Sequence, residues 1–459
     1  MALIKSISGI RGTIGGRTND NLTPVDIVKF TAAYGSWLIE KHNGKKVVVG
    51  RDGRISGPMV SQLIINTLTG LGIEVVDAGL STTPTVEMAV VWEKADGGII
   101  VTASHNPAQW NALKLLNSRG EFICAEDGAI VLEKAAKEDF VFADVNKLGA
   151  VVYPSQSFLE RHITEILVNK FVDAESIATK GFTVVVDAIN SSGAVAVPPL
   201  LSALGVKKII VINEQVTGEF AHNPEPLPEH LVQLCDAVKK HKADLGIAVD
   251  PDVDRLCFVN EDGTLFGEEY TLVAVADYIL GLQKGSTVSN LSSTRALRDV
   301  TEKHGGDYYA SAVGEVNVVT KMKEYDAVIG GEGNGGIIVP DLHYGRDAIA
   351  GIALFLSALA KFGGSISSYR KTFPDYYMAK KKIDLSPGTD VKQLLNKTQE
   401  VYKEYKINTV DGVKIEMEDG WVHLRGSNTE PIVRIYTEAP TQEKANELAT
   451  QVIERVSAL

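Results

Sequence analysis

The sequence predicts an α/β protein, with three α/β units in succession and a smaller α+β domain at the end. Three observations predict it. Strand and helix signals alternate as far as residue 361. Each of three stretches delivers an apolar strand straight into a polar loop. From residue 413 the pattern changes to short strands and one closing helix. Strand–helix alternation implies mostly parallel sheets, with functional loops at the carboxyl ends of strands.

In the first unit, Thr23-Pro24-Val25-Asp26 opens a helix with a capping threonine, a proline at the first helical position and an acid in the first turn. Ile27, Phe30, Tyr34 and Leu38 follow at helical spacing. Residues 46–50 read as a buried strand, 58–71 as a helix ending at Gly72, and 73–76 as a strand. The strand 98–101 runs into Thr102-Ala103-Ser104-His105-Asn106-Pro107. The second unit reads strand 182–186, helix 194–204, strand 208–212, helix 229–242 and strand 245–249. It ends in Asp250-Pro251-Asp252-Val253-Asp254-Arg255. The third reads helix 268–282, strand 287–291, helices 295–304 and 316–324, and strand 327–329. It delivers Gly330-Gly331-Glu332-Gly333-Asn334-Gly335-Gly336. A helix at 346–361 follows. Residues 413–438 hold short strands with a turn at Asp419-Gly420, and a helix at 441–457 closes the chain.

Composition narrows the function. The 459 residues are too many for a small binding module and suggest about three domains. The formal charge of −12 makes the chain a poor general binder of nucleic acid or anionic membrane. Cys124, Cys235 and Cys257 are few, scattered and odd in number. They argue against a disulfide framework or a zinc site, and for a reducing compartment. No apolar run is long enough to span a membrane, and Met1-Ala-Leu-Ile-Lys-Ser does not resemble a signal peptide. The expectation is a cytoplasmic enzyme, with room for a homo-oligomer.

The loops carry the chemistry. Ser104, with His105 beside it, is a nucleophile, a phosphate carrier or simply a turn serine. The hydrolase elbow is absent, because Thr102 and Asn106 stand where it needs glycines. Lys114 would act as an acid/base if burial or nearby cations lowered its pKa. Asp250, Asp252 and Asp254 repel one another unless a cation joins them. With Arg255 at the sixth position instead of glycine they are not an EF-hand, and three carboxylates favour Mg²⁺. Glu332 and Asn334 suit the vicinal hydroxyls of a sugar. Arg425-Gly426-Ser427-Asn428-Thr429-Glu430-Pro431, followed by Arg434, suits a phosphate. Arg11, Arg51 and Arg54 lie on glycine-flanked loops. Lys380-Lys381-Lys382 reads as a solvated face.

Together these motifs resemble the α-D-phosphohexomutase superfamily. The match covers essentially the whole chain and keeps the family's loop order of phosphoserine, metal, sugar and phosphate loops. The resemblance implies a heart-shaped fold of four domains around one cleft, divided here as 1–150, 151–255, 256–368 and 369–459. It makes Ser104 the phosphoryl carrier. It gives Asp250, Asp252, Asp254 and a Ser104 phosphate oxygen to one Mg²⁺, and sets Arg255 beside the reacting phosphate. Arg11, Lys114 and His105 join the catalytic group, with Arg11 and Lys114 at positions of acid/base or charge-stabilising work. Glu332 and Asn334 would bind sugar hydroxyls. Arg425, Ser427, Asn428, Thr429 and Arg434 would grip the phosphate that is not transferred. The implied reaction interconverts hexose 6-phosphate and hexose 1-phosphate through a hexose 1,6-bisphosphate. Against a family pattern of G-E-x-S-G-H, Asn334 replaces serine and Gly336 replaces histidine. Gly314-Glu315 stands where many relatives carry Gly-His or Gly-Asp. Gly-Glu-Gly-Asn-Gly-Gly and Trp110-Asn111-Ala112-Leu113-Lys114 are most similar to the archaeal-type phosphoglucosamine mutase branch, which includes phosphomannomutase/phosphoglucomutase relatives. Glucosamine is the expected sugar, with glucose and mannose as alternatives. A phosphoserine-intermediate phosphatase is the competing class, and the second phosphate grip argues against it.

Overall fold

The computed structural model describes residues 3–6, 9–385, 390–426 and 432–457. Its strands form four sheets. The first runs, in spatial order, Ile4–Ser6, Gly9–Thr13, Trp110–Asn117, Gly97–Val101, Lys46–Arg51, Glu74–Leu80 and Val151–Val152. The second runs Leu256–Asn260, Leu245–Val249, Thr183–Asp187, Lys208–Ile212, and the third Tyr308–Ser311, Thr287–Asn290, Ile329–Glu332, Gly336–Ile338. The fourth, wholly antiparallel, runs Tyr377–Asp384, Ile432–Ala439, Gly420–Gly426, Val413–Met417, Lys406–Asn408.

The three α/β units share one device. In each, a strand of the parallel part enters a polar loop, and the chain returns as an antiparallel neighbour of that same strand. Gly97–Val101 returns as Trp110–Asn117, Leu245–Val249 as Leu256–Asn260, and Ile329–Glu332 as Gly336–Ile338. These three sheets are therefore mixed, with the second and third mostly parallel as expected and the first half antiparallel. Two strands lie just past the expected boundaries. Leu256–Asn260 completes the second sheet beyond residue 255, and Val151–Val152 completes the first beyond residue 150.

Local chemistry accounts for the principal helices. Thr23 and Asp26 form a reciprocal capping box on Pro24–His42, with Pro24 inside the first turn. Asp347 caps Ala348–Phe362 by accepting from Ile349 N and Ala350 N, and Gly363 ends it in the left-handed conformation. That helix is apolar on nearly every side, so it must be buried all round. It is shared, because one continuous core runs from Ile163 to Phe373 and fuses the second and third units. Phe258, Phe266 and Phe355 pack at its centre, with Phe258 stacked on Phe355 at 3.8 Å. The first unit keeps its own cores on the two faces of its sheet, and the last packs Val413, Val422, Val433 and Val452 together. No helix among the described residues is long and apolar enough to cross a membrane. The three cysteines are free.

Candidate active site

Ser104 lies just past its strand with φ +49°, a left-handed conformation that disfavours any residue with a side chain. The loop is held there by a buried guanidinium. Arg54 donates from Nε to Asp52, from Nη1 to the carbonyls of Pro107 and Trp110, and from Nη2 to those of Ser104 and Asn106. Thr102 Oγ1 donates to Asp52 Oδ2 at 2.7 Å and accepts Ser104 N at 2.9 Å. Ser104 Oγ is thereby aimed at the second unit, where it donates to Asp250 Oδ2 at 2.7 Å. His105 Nδ1 lies 3.4 Å from the same oxygen. Burial, then Arg255 and Arg11, keep the His105 ring well below its ordinary pKa and hence neutral.

The aspartate loop wraps around its own first carboxylate. Asp250 Oδ1 accepts Asp254 N and Arg255 N, both at 3.1 Å, and Val253 is forced to φ +61°. All three aspartates are fully buried, with one oxygen of each within 4.8 Å of the others. Burial, then Asp252 and Asp254, push Asp250 well above the usual carboxylate range. Lys114 donates to Asp252 Oδ2 at 2.7 Å and Asp254 Oδ2 at 3.1 Å. Burial opposes ionisation of Asp252, but Lys114 outweighs it and holds that carboxyl low. Burial also opposes the lysine's charge, and Asp252 and Asp254 outweigh it, holding Lys114 above its ordinary value. Asp252 Oδ1 and Asp254 Oδ1 are buried with no hydrogen-bond partner. Buried carboxylate oxygens left without partners among the described residues, and converging on one point, fit a hard divalent cation.

Further cations ring this centre. Arg11 Nη1 reaches Asn106 Oδ1 at 3.4 Å. Its burial, then the nearby Arg255 charge, lower its pKa. Arg255 Nη1 meets Glu225 at 3.4 Å.

Glu332 ends its strand, which begins two residues later than the expected 327–329, so its carboxylate stands on regular backbone. Oε1 accepts from Asn290 Nδ2 at 2.8 Å and Gly314 N at 3.1 Å. Asn334 Oδ1 accepts Gly336 N, closing the glycine turn. Gly335, at φ +80°, brings this turn against the backbone of Leu256, where a Cβ would lie 2.0 Å from the carbonyl oxygen. The sugar loop is thereby pressed onto the second unit. Arg346 completes the centre. Its Nη2 reaches Asp254 Oδ2 at 2.8 Å, its Nε Glu315 Oε2 at 2.8 Å and its Nη1 Glu332 Oε2 at 3.3 Å. A Cβ on Gly336 would lie 2.4 Å from Arg346 Cδ. The arginine thus fills the space beside the position where the resemblance would place histidine.

Arg425 and Arg434 stand directly opposite each other on adjacent strands, and Lys382 stands opposite Arg434 on the next. Like charges in register repel, which suits a bound anion. Arg425 Nε lies 3.3 Å from Asp411 Oδ2, and Asp411 Oδ2 also accepts Val313 N of the third unit at 3.0 Å. Ser427, Asn428 and Thr429 lie outside the described residues.

The fold thus gathers Ser104, His105, Arg11, Lys114, the three aspartates and Arg255, and ties Glu332 to them through Arg346. Thr83, Asn290 and Arg346 have no place in the sequence motifs, and Arg54 stands there only as an arginine on a glycine-flanked loop; Thr83 donates to Asp252 Oδ2 at 2.5 Å. Each acts on partners distant in sequence.

A serine facing a carboxylate cluster able to hold a metal ion, beside a buried glutamate of the third unit and an arginine pair of the last, is an arrangement that fits a phosphohexomutase, an isomerase that moves phosphate within a sugar. Family models for phosphoglucomutase/phosphomannomutase match the α/β/α domains I, II and III at residues 3–142, 160–263 and 267–377, and the C-terminal domain at 381–455. The chain belongs to the phosphoglucomutase/phosphomannomutase family. It is 38% identical to the phosphoglucomutase/phosphomannomutase of Thermococcus kodakarensis, over 95% of this chain and 96% of that one. It is 32% identical to the phosphoglucosamine/phosphogalactosamine mutase of Sulfurisphaera tokodaii, over 98% of each. The crystal structure of a family protein from Burkholderia thailandensis superposes with a TM-score of 0.83 at 25% identity, covering 98% of both chains.

Proposed function

We propose that this chain interconverts glucosamine 6-phosphate and glucosamine 1-phosphate, with Ser104 as the phosphoryl carrier. The observation that carries this is the pair of bridges from Ser104 to Asp250 and from Asp254 through Arg346 to Glu332. They join a phosphoryl-transfer centre to a sugar-hydroxyl site. The names of relatives in this family support an amino sugar, with glucose and mannose phosphates as alternatives.

The phosphate on Ser104 Oγ passes to the free hydroxyl of the bound hexose phosphate. A P–O bond forms to the sugar oxygen as the P–Oγ bond breaks, giving a hexose 1,6-bisphosphate. The bisphosphate reverses in the cleft and returns its other phosphate to Ser104. The proton of the sugar hydroxyl ends on Ser104 Oγ, beside which the neutral His105 ring offers a hydrogen-bond partner. Arg11, Arg255 and Lys114 supply fixed positive charge where the phosphoryl oxygens must lie, so catalysis rests on positioning and charge neutralisation. Asp250, Asp252 and Asp254 would hold Mg²⁺, which when bound neutralises phosphoryl charge. Glu332 fixes the sugar, and Arg425 and Arg434 grip the phosphate that stays.

Intact-mass analysis with peptide mapping tests the carrier, and the phosphate should map to Ser104. Ser104→Ala should be inactive without added bisphosphate, and full activity in that variant would overturn the assignment. Comparing kcat/KM on glucosamine, glucose and mannose 1-phosphates, with bisphosphate supplied, tests the sugar.

A further inference from the structure

The fold builds a second cluster of ligating side chains that the proposed reaction leaves unused. His162 comes from the helix Phe158–Leu167, which follows the first sheet. His343 and Asp347 come from the third unit, just before its long shared helix. His162 Nε2 lies 2.9 Å and His343 Nε2 3.2 Å from the same oxygen, Asp347 Oδ2. All three ligand atoms lie within 4.8 Å of one another. His162 and Asp347 are buried, and the His343 side chain is only 12% exposed. Asp347 Oδ1 is turned the other way, onto the helix it caps.

The far side of each imidazole is also prepared. His162 Nδ1 lies 3.0 Å from Thr85 Oγ1, and His343 Nδ1 lies 3.4 Å from Glu87 Oε2. Both partners come from one helix of the first unit, Thr83–Trp92. Glu87 is 1% exposed, and neither of its carboxylate oxygens has a hydrogen-bond partner. A buried carboxyl left in that state is costly. It gains a purpose if His343 Nε2 is bound to a metal. The ring proton must then sit on Nδ1, where it can be donated to Glu87 and fix the ring, the arrangement that orients metal-bound histidines elsewhere.

We propose that His162, His343 and Asp347 form a second divalent-metal site, for zinc, that ties the second unit to the third and is buttressed by Thr85 and Glu87 of the first. Two imidazoles and one carboxylate select Zn²⁺ over Mg²⁺, whereas the three aspartates have the reverse preference. The charges can balance, since Asp347 supplies one negative charge, the imidazoles are neutral, and a dication behind His343 would favour the charged form of Glu87. The sequence argument against zinc weighed cysteines only, and the imidazoles lie too far apart in the chain to form a visible motif. The ion would hold Asp347, and with it the neighbouring Arg346 that reaches Asp254.

The test counts metal on the full chain. Protein equilibrated with zinc in excess Mg²⁺, to fill the aspartate cluster, is desalted and its zinc measured by elemental analysis. One equivalent of zinc should remain. H343Q, a loop substitution that the fold can accept, and H162Q should each weaken zinc binding by about 10-fold or more. Cobalt in place of zinc should give the intense visible absorption of a tetrahedral ion in wild type and in D250N, but not in H343Q. Zinc should also raise the melting temperature of wild type and leave that of H343Q unchanged. Absence of retained zinc, retention undiminished in H343Q, or loss of zinc in D250N would each overturn the proposal.

Discussion

Arg54 uses all five hydrogen-bond donors a guanidinium has, one on Asp52 and four on carbonyls of the serine loop. Lysine cannot reproduce that fork. Arg54→Lys should therefore leave buried carbonyls unpaired and lower stability by about 3 kcal/mol or more. The check is the melting temperature, with phosphoserine occupancy by mass spectrometry falling in parallel. Arg346 makes a similar case at the junction of metal and sugar loops. Arg346→Lys should lower kcat by about 10-fold or more, since a charge-assisted contact contributes about 1.5–3 kcal/mol. Steady-state kinetics on the preferred hexose phosphate would show it, and an unchanged kcat would exclude a role in the centre. At this scale the sequence was legible where chemistry is contiguous. Ser104 and the three aspartates announce themselves because their loops are short and crowded with one kind of group. Arg54 and Arg346 did not, because each looks like any arginine until folding brings it to partners dozens of residues away.

Each functional loop is the bend between a strand and its antiparallel return. The strands entering the loops were legible as apolar runs. The returns were not, because Trp110–Asn117, Leu256–Asn260 and Gly336–Ile338 follow polar loops without a turn signature that fixes direction. Two of the loops carry side chains in left-handed backbone, Ser104 and Val253, where the geometry of the site overrides local preference. The turn in the last unit also shifts by one residue. Met417 pairs with Gly420, so Glu418-Asp419 makes the turn and Gly420 belongs to the strand. The sugar loop has a support with a measurable signature. Glu269 accepts Thr294 N at 2.9 Å, and its carboxylate lies where a Cβ on Gly333 would fall. Burial pushes its pKa up to about 8. The folded chain therefore keeps this proton to higher pH than the unfolded chain does. The resulting stability is full below the ordinary glutamate range, falls as pH rises towards 8, and levels off above it. Glu269→Gln should flatten that decline, seen as a smaller difference in melting temperature between pH 6 and pH 8.5. An equal decline in both proteins would remove Glu269 as its source.

At the scale of the whole molecule the units are joined unequally. The second and third share one core, whereas the last unit meets the third mainly through polar contacts: Ser292 with His423, Arg295 with Glu438, Lys414 with the Leu291 carbonyl, and Val313 with Asp411. Its cation row of Lys382, Arg434 and Arg425 lies on a sheet of its own, with Asp411 as the counter-ion that also holds the third unit. Alternation of strand and helix signals made the three α/β units legible, but no local pattern marks a core shared by two of them. A unit held by polar contacts can move as a body, and closure on the bound phosphate would keep water from the phosphoserine, where hydrolysis competes with transfer. The labour then divides by unit. On the proposed function the last unit would read phosphate, which every hexose phosphate has, and Glu332 would read hydroxyls, which differ between sugars. Arg425→Ala should raise KM about 10- to 100-fold for glucosamine, glucose and mannose phosphates alike, the loss of one charge-assisted contact, and leave their order unchanged. Glu332→Ala should instead alter the order. Kinetics of both variants on all three substrates decide it, because a changed order in Arg425→Ala with KM at the wild-type value would mean that the last unit reads the sugar as well.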